Sequence, residues 1–200
     1  IEACGELLQG EALDLALVAE MLRLPSEDYL AELASQGGGA NVDTIHQARN
    51  IVRSALGAAL AQTLHAKYRS LENRTPYAPD GEQIAMRSLR NTCLAYLVSA
   101  DPENITLAVK QYRAAGNMTD RLAALKEIAF CGDSALRDNT LEAFYHDWRH
   151  EALVVNQWLQ LQAAIPDAQA LSRVQALLFH AEFDLRNPNR ARSLLHAFAS

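Results

Sequence analysis

The 200-residue sequence lacks the features of several large classes of protein. No apolar run approaches the roughly 20 residues that a membrane-spanning helix needs, so no membrane partner is expected. Lys and Arg number 18 against 24 Asp and Glu, and no basic cluster is dense enough to neutralise several phosphates. The net charge of −6 therefore argues against nucleic acid as a partner.

Signatures of catalysis are also missing. The sequence has no H-E-x-x-H zinc motif and no G-x-S-x-G nucleophile motif. Gly37-Gly38-Gly39 is not followed by the Lys-Ser/Thr pair of a phosphate-binding loop, and it is therefore expected to be a flexible linker. We expect no catalytic residue, no metal ligand and no cofactor within this chain.

Cysteine is scarce and widely spaced. Cys4, Cys93 and Cys131 are odd in number, and no two of them form a C-x-x-C pair. No signal peptide is visible. This pattern is typical of reduced, mostly buried thiols, and it predicts a cytoplasmic protein.

The residues that are abundant favour helices. Half of the sequence is hydrophobic while aromatics make up only 6%, so Ala and Leu dominate the apolar residues. Both lose little side-chain entropy in a helix. Apolar residues also recur at intervals of three and four, as in Ala48, Val52, Ala55 and Ala59, which predicts amphipathic helices.

Start signals divide the chain into successive helices. Ser26 and Asp80 are placed to cap helices, and Thr119 is a further candidate cap. Asp101-Pro102 and Asn187-Pro188 each combine an acceptor side chain with a proline at the first helical position. The signals predict an opening helix from Leu7 to Leu22, a short one from Ser26 to Leu33, a long one from Asp43 to Leu71, a loop from Asn73 to Pro79, and further helices from Asp80 onward.

Short links between consecutive helices favour antiparallel neighbours. Repetition of such pairs predicts an all-α superhelical array, an α-solenoid of the HEAT or armadillo type, with residues 1–200 as a single helical domain. No strict period of about 34 or 40 residues is present, so tetratricopeptide repeats are not supported.

Some residue pairs allow a functional and a structural interpretation. His146 and His150 are four residues apart and could share a helix face, but no Glu lies between them and no third ligand is apparent; a solvated or capping role is the simpler explanation. Trp148 and Trp158 could line a ligand groove, although helical core is the more frequent role. Arg190 follows a helix start, where a cation opposes the helix dipole and gains little helix stability. It could therefore bind a carboxylate on another helix or a substrate's peptide group.

Five segments in the same order and spacing resemble the C-terminal helical domain of the bacterial aminopeptidase N family, the gluzincin zinc aminopeptidases. The resemblance runs from about Leu22 to Ser200. The segments are Leu24-Pro25-Ser26-Glu27, Arg87-Ser88-Leu89-Arg90-Asn91-Thr92-Cys93-Leu94, Ala115-Gly116-Asn117-Met118-Thr119-Asp120, residues 148–158, and Asn187-Pro188-Asn189-Arg190 through Ala197-Phe198-Ala199.

The resemblance implies a multidomain cytoplasmic parent enzyme that removes N-terminal residues from peptides. Its zinc site would lie in an upstream catalytic domain absent here, so zinc is implied for the parent alone. The helical domain would cap the active site and gate peptide access, with Asn187, Asn189 and Arg190 as substrate-channel candidates. The family's domain continues past Ser200, so a truncated superhelix is expected.

Two other functions remain open at this point. The first is a free-standing helical-repeat scaffold that binds a peptide or protein on its concave face. The second is a helical metalloenzyme that uses His146 and His150.

Overall fold

The structure is a computed structural model that describes residues 1–10, 12–72 and 75–199. These residues form helices and connecting loops, and no strand occurs among them, which confirms the all-α prediction. The chain divides into two compact units, residues 1–124 and residues 125–200. Asn73 and Arg74, at the start of the predicted loop, lie outside the described residues, as do Glu11 and Ser200.

The first unit contains most of the helices. They are α1 (Glu2–Gln9), α2 (Leu15–Met21), α3 (Glu27–Gln36), α4 (Val42–Ala59), α5 (Ala61–Ser70), α6 (Gly81–Ala100), a 3₁₀ turn (Pro102–Asn104), α7 (Ile105–Ala114) and the start of α8 (Met118–Cys131). The second unit contains the end of α8, α9 (Ser134–Trp148), α10 (Ala152–Ala163), α11 (Ala170–Leu177), α12 (Pro188–Ala191), a π-helical segment (Arg192–His196) and α13 (Ala197–Ala199).

Helix α6 is the centre of the first unit and packs against α2, α4 and α5. Its inward face carries Leu89, Cys93, Leu94 and Leu97, each fully buried. Full burial of a leucine side chain stabilises a fold by about 1.5–3 kcal/mol. The core of this unit is thus built on one long helix.

Helices α4 and α6 approach each other closely at Gly57. A Cβ atom at this position would overlap the carbonyl oxygen of Tyr96 and lie 2.8 Å from Cβ of Ala100. The missing side chain therefore sets how near the two helix axes lie.

The core of the second unit is built around α10, which packs against α9, α11 and the π-helical segment. Phe144, Leu159 and Leu194 are fully buried, and Trp158 is nearly so. The indole N–H of Trp158 donates a hydrogen bond to the carbonyl oxygen of Leu141 at 3.0 Å. Trp158 therefore has the core role that was the simpler interpretation.

Most predicted helix starts are confirmed by capping hydrogen bonds. The Ser26 hydroxyl accepts from the Tyr29 N–H at 3.3 Å, and the Asp80 carboxylate accepts from the Gln83 N–H at 2.8 Å. Asp101 and Asn187 cap the helices that begin at the following prolines. These side chains satisfy N–H groups that a helix leaves unpaired in its first turn.

Three boundaries differ from the prediction. The opening helix is two helices, because Gly10 leaves helical geometry and Asp14 caps α2 with bonds to the Ala16 and Leu17 N–H groups. The long helix is interrupted at Leu60, where the backbone turns to φ −107°. The cap of α8 is Asn117, whose side-chain oxygen accepts from the Asp120 N–H at 2.9 Å, and not Thr119.

Residues 37–39 lie between α3 and α4, with positive φ at Gly38 and Gly39, while the flexibility predicted for this segment stays a prediction. In the part of the chain that the structure describes, no helix combines the length and the apolar character needed to span a membrane.

Candidate functional site

A cavity of about 510 Å³ lies in the first unit. We name it the arginine–tyrosine cavity. It is bounded by the end of α5, the segment before α6, the start of α6, the end of α7 and the start of α8. Its charged and aromatic lining residues are Tyr68, Arg69, Glu72, Tyr77, Arg87, Arg90, Lys110 and Asp120.

A network of amide and carboxylate groups forms one wall of the cavity. Gln111 is 3% exposed, and its side-chain oxygen accepts from the Tyr68 hydroxyl at 3.0 Å. Its amide nitrogen donates to the side-chain oxygen of Asn91 at 2.7 Å and to the carbonyl oxygen of Asp120 at 3.0 Å. Every bond of this buried amide joins a different helix, so the network fixes α5, α6, α7 and α8 relative to one another.

The Asp120 carboxylate is held by neutral donors. One oxygen accepts from the side-chain amide of Asn91 at 3.0 Å, and the other accepts from the side-chain amide of Asn117 at 2.9 Å. Both carboxylate oxygens of Asp120 therefore accept a hydrogen bond from a neutral amide.

Two arginines of α6 lie over tyrosine rings at this cavity. The guanidinium carbon of Arg90 is 4.5 Å from the centre of the Tyr68 ring, and that of Arg87 is 5.0 Å from the centre of the Tyr77 ring. A cation over an aromatic face is attracted by the negative electrostatic potential of the ring's π-electrons. Burial raises the pKa of Tyr68, while the nearby Arg90 charge partly opposes this effect.

The second unit contains a smaller polar cluster around Glu182. One Glu182 oxygen accepts from Arg190 at 3.1 Å, and the other accepts from the Tyr145 hydroxyl at 3.4 Å. The Tyr145 ring stacks on Trp158 with ring centres 4.7 Å apart. Burial raises the pKa of Tyr145, and the Glu182 charge and hydrogen bond raise it further.

The three predicted channel residues have different environments. Arg190 is 8% exposed, and Nη1 has no hydrogen-bond partner although Nη2 is bonded to Glu182. Asn187 uses its side chain as the cap of α12, and Asn189 is exposed. The structure therefore places a carboxylate partner beside Arg190, while the channel role stays a prediction.

His146 and His150 do not form a metal-binding pair on a helix face, because α9 ends at Trp148. Their side chains are 76% and 67% exposed. Across residues 1–10, 12–72 and 75–199, no group of three or more His, Cys, Asp or Glu side chains is arranged to hold a metal ion.

The whole chain matches a known protein family. A family model described as "Domain of unknown function (DUF3458_C) ARM repeats" matches residues 1–200. The chain belongs to this family. Its description as ARM repeats agrees with the helical-repeat fold class predicted from the sequence.

Curated relatives of this DUF3458_C chain are aminopeptidases. It is 35% identical over 201 residues to aminopeptidase N of Caulobacter vibrioides and 37% identical over 199 residues to aminopeptidase N of Escherichia coli. The alignments cover 100% and 99% of this chain, which spans only 23% and 22% of those proteins. The resemblance to the C-terminal helical domain of bacterial aminopeptidase N is thus confirmed.

A solved structure shares the fold of the DUF3458_C chain. The crystal structure of Legionella pneumophila aminopeptidase A in complex with aspartic acid matches it with a TM-score of 0.84 and 26% identity. The match covers 97% of this chain and 23% of that one.

Sequence reasoning did not identify the arginine–tyrosine cavity. Two segments that carried the family resemblance, residues 87–94 and 115–120, supply Arg87, Arg90 and Asp120 to it. The signal is Arg87, the one charged side chain among the buried residues that the structure describes in α6. The partners on α5 and α7 carry no motif, and only the fold brings them together.

Proposed function

We propose that this chain is the non-catalytic C-terminal domain of a zinc-dependent aminopeptidase that removes N-terminal residues from peptides. The observation that carries the proposal is the alignment of essentially the whole chain with aminopeptidases N at 35–37% identity. The parent enzyme is proposed to be cytoplasmic. The zinc ion is assigned to an upstream catalytic domain, because the described residues of this chain offer no ligand set.

In this proposal the domain caps the active site and limits access to peptides. The segment from Asn187 to Arg190 is assigned to the wall of the substrate cavity. Two observations support that assignment: a buried Arg190 with one unbonded nitrogen, and the π-helical segment that follows directly. Single π-helical turns inside helices occur frequently at functional sites.

The metal requirement is tested on the full-length protein. Hydrolysis of leucine and arginine p-nitroanilides is measured before and after treatment with a zinc chelator, and again after zinc is restored. Activity that is lost and then recovered supports a zinc aminopeptidase. The proposal would be refuted if the zinc-loaded protein had no aminopeptidase activity. It would also be refuted if the chelator did not change the rate of hydrolysis.

The channel assignment is tested by Asn189→Asp. Asn189 is exposed, and its described hydrogen bonds are made by its backbone, so the new charge leaves the free energy of unfolding nearly unchanged. A carboxylate in the channel wall repels the C-terminal carboxylate of a peptide, so KM for tripeptides and tetrapeptides is expected to rise. The rise disappears for peptide amides, which lack that charge.

Asn139→Asp is the matched control, since Asn139 is exposed on α9 of the same unit. Equal kinetic effects of the two variants, or no effect of Asn189→Asp at any peptide length, would contradict the assignment of Asn189 to the channel wall. Either outcome would leave the aminopeptidase proposal itself standing.

A further inference from the structure

The arginine–tyrosine cavity contains a buried positive charge that no described carboxylate neutralises. Arg87 is 6% exposed, and its guanidinium bonds only to the carbonyl oxygen of Ala78 and the side-chain oxygen of Gln83, at 3.2–3.4 Å. Both acceptors are uncharged, and these bonds are long. Burying a charge without a counter-charge is costly, so this site favours an anion.

Arg90 strengthens this preference from the next turn of α6. Its guanidinium lies over the Tyr68 ring, and its Nε is buried without a hydrogen-bond partner. A guanidinium has five N–H donors and no acceptor, so the unbonded Nε–H leaves donor capacity at this position. Arg87 and Arg90 are three residues apart on one helix face and line the same cavity.

The carboxylates that line the cavity do not neutralise these arginines. Asp120 is engaged by the amides of Asn91 and Asn117, as described above. Neither Arg87 nor Arg90 has an ion pair with any residue that the structure describes in this unit. With Arg69 and Lys110, the lining has four basic side chains against the two acidic ones, Glu72 and Asp120.

The remaining lining indicates which anion fits. Glu72 and Asp120 belong to the same lining and disfavour a ligand with two or more negative charges. Leu107, Ala114 and Ala115 offer apolar surface beside the arginines. A volume of about 510 Å³ lies within the usual range of small-molecule sites, about 300–1,000 Å³.

We propose that the arginine–tyrosine cavity binds a small organic monocarboxylate, whose carboxylate is held by Arg87 and Arg90 and whose apolar part contacts Leu107, Ala114 and Ala115. An arginine fork matches a carboxylate in shape and charge. The site lies in the first unit and does not depend on the aminopeptidase proposal.

The test is isothermal titration calorimetry on the full-length protein at low ionic strength with N-acetyl-leucine. The matched ligand is N-acetyl-leucine amide, which has the same apolar group without the carboxylate. Inorganic phosphate is titrated separately. The expected result is binding of N-acetyl-leucine at one site per chain, weakened by added salt, with no measurable binding of the amide.

Arg90→Gln is the informative variant, because Arg90 is only partly buried and its loss removes a charge-assisted bond. Affinity for N-acetyl-leucine is expected to fall at least about tenfold. Arg113→Gln is the control: it removes an exposed positive charge from α7 that does not line the cavity, and affinity should stay within about twofold. Urea unfolding of both variants checks that each is folded.

Several results would overturn the proposal. These are equal binding of the acid and its amide, tighter binding of phosphate than of the carboxylate, or equal losses in Arg90→Gln and Arg113→Gln. Absence of binding to the folded wild-type protein would also overturn it, since the cavity would then be filled by another part of the protein. Aminopeptidase activity measured on the same samples shows separately whether the proposed function holds.

Discussion

At the scale of single residues, amide groups hold the buried polar side chains Gln111 and Asp120 of the first unit. Gln111 has three side-chain hydrogen bonds, and Asp120 is held by two asparagine side chains. Amide pairs cost less desolvation than ion pairs when they are buried. Arg87 is a buried cation whose described acceptors, the Ala78 carbonyl and the Gln83 amide, carry no charge, and this distinguishes the arginine–tyrosine cavity in the first unit.

Cys93 shows how burial alone changes the chemistry of a side chain. It is fully buried on α6, and burial raises the pKa of its thiol from 9.0 to about 12. Only the thiolate reacts rapidly with alkylating agents. We expect Cys93 in the folded protein to resist iodoacetamide at mildly alkaline pH while the exposed Cys131 is labelled, as measured by mass spectrometry of peptides.

The same shift has a consequence for stability. As the pH rises from 9.0 to about 12, the unfolded chain loses the Cys93 proton while the folded chain keeps it, so the free energy of unfolding decreases. Cys93→Ala should therefore show a shallower decrease over this range in urea unfolding. Equal slopes, or rapid labelling of Cys93 in the native protein, would contradict the assignment.

At the scale of helices, the caps could be read from the sequence, whereas the breaks could not. Ser26, Asp80, Asp101 and Asn187 cap helices where predicted, because an N-cap depends on residues that are neighbours in the chain. The interruption at Leu60 has no Gly, Pro or capping side chain at it, and α4 and α5 both pack against α6. No local sequence signal therefore marks this break.

The contact between α4 and α6 gives a prediction for Gly57. Gly57→Ala raises intrinsic helix propensity, but the added Cβ would overlap the Tyr96 carbonyl. Overpacking outweighs propensity here, and we expect a loss of about 1–3 kcal/mol in urea unfolding.

Gly81→Ala is the control, because no atom lies within 4 Å of its added Cβ. This substitution should be neutral, or stabilising by about 0.5–1 kcal/mol. If Gly57→Ala were as stable as Gly81→Ala, the close approach of the two helices would be refuted.

At the scale of the whole molecule, the all-α class followed from composition and spacing, while the cavity did not. Ala, Leu and the three- and four-residue intervals determine where helices form. The cavity takes its residues from α5, α6, α7, α8 and a loop, and their side chains meet only through tertiary packing. No single segment of the sequence carries that information.

Apolar residues are distributed unevenly between interior and surface in the second unit. Phe144 is fully buried, whereas Phe179 is 92% exposed, with Leu153 and Leu185 at 75% and 66%. Phe144→Ala is expected to cost about 3–5 kcal/mol of unfolding free energy. Phe179→Ser should change it by no more than about 0.5 kcal/mol.

Urea unfolding of the two phenylalanine variants, monitored by circular dichroism, checks this contrast. A loss for Phe179→Ser comparable with that for Phe144→Ala would mean that Phe179 is covered by another part of the folded protein.

The π-helical segment at Arg192–His196 has a consequence for how the gene can change in length during evolution. A π turn equals an α-helical turn that has accepted one additional residue without breaking the helix. A one-codon insertion or deletion in this part of the gene therefore alters the local winding and leaves the flanking helix in place. We therefore expect a one-residue change of length to be better tolerated here than within the continuous helix α6, with the cap at Asn187 kept.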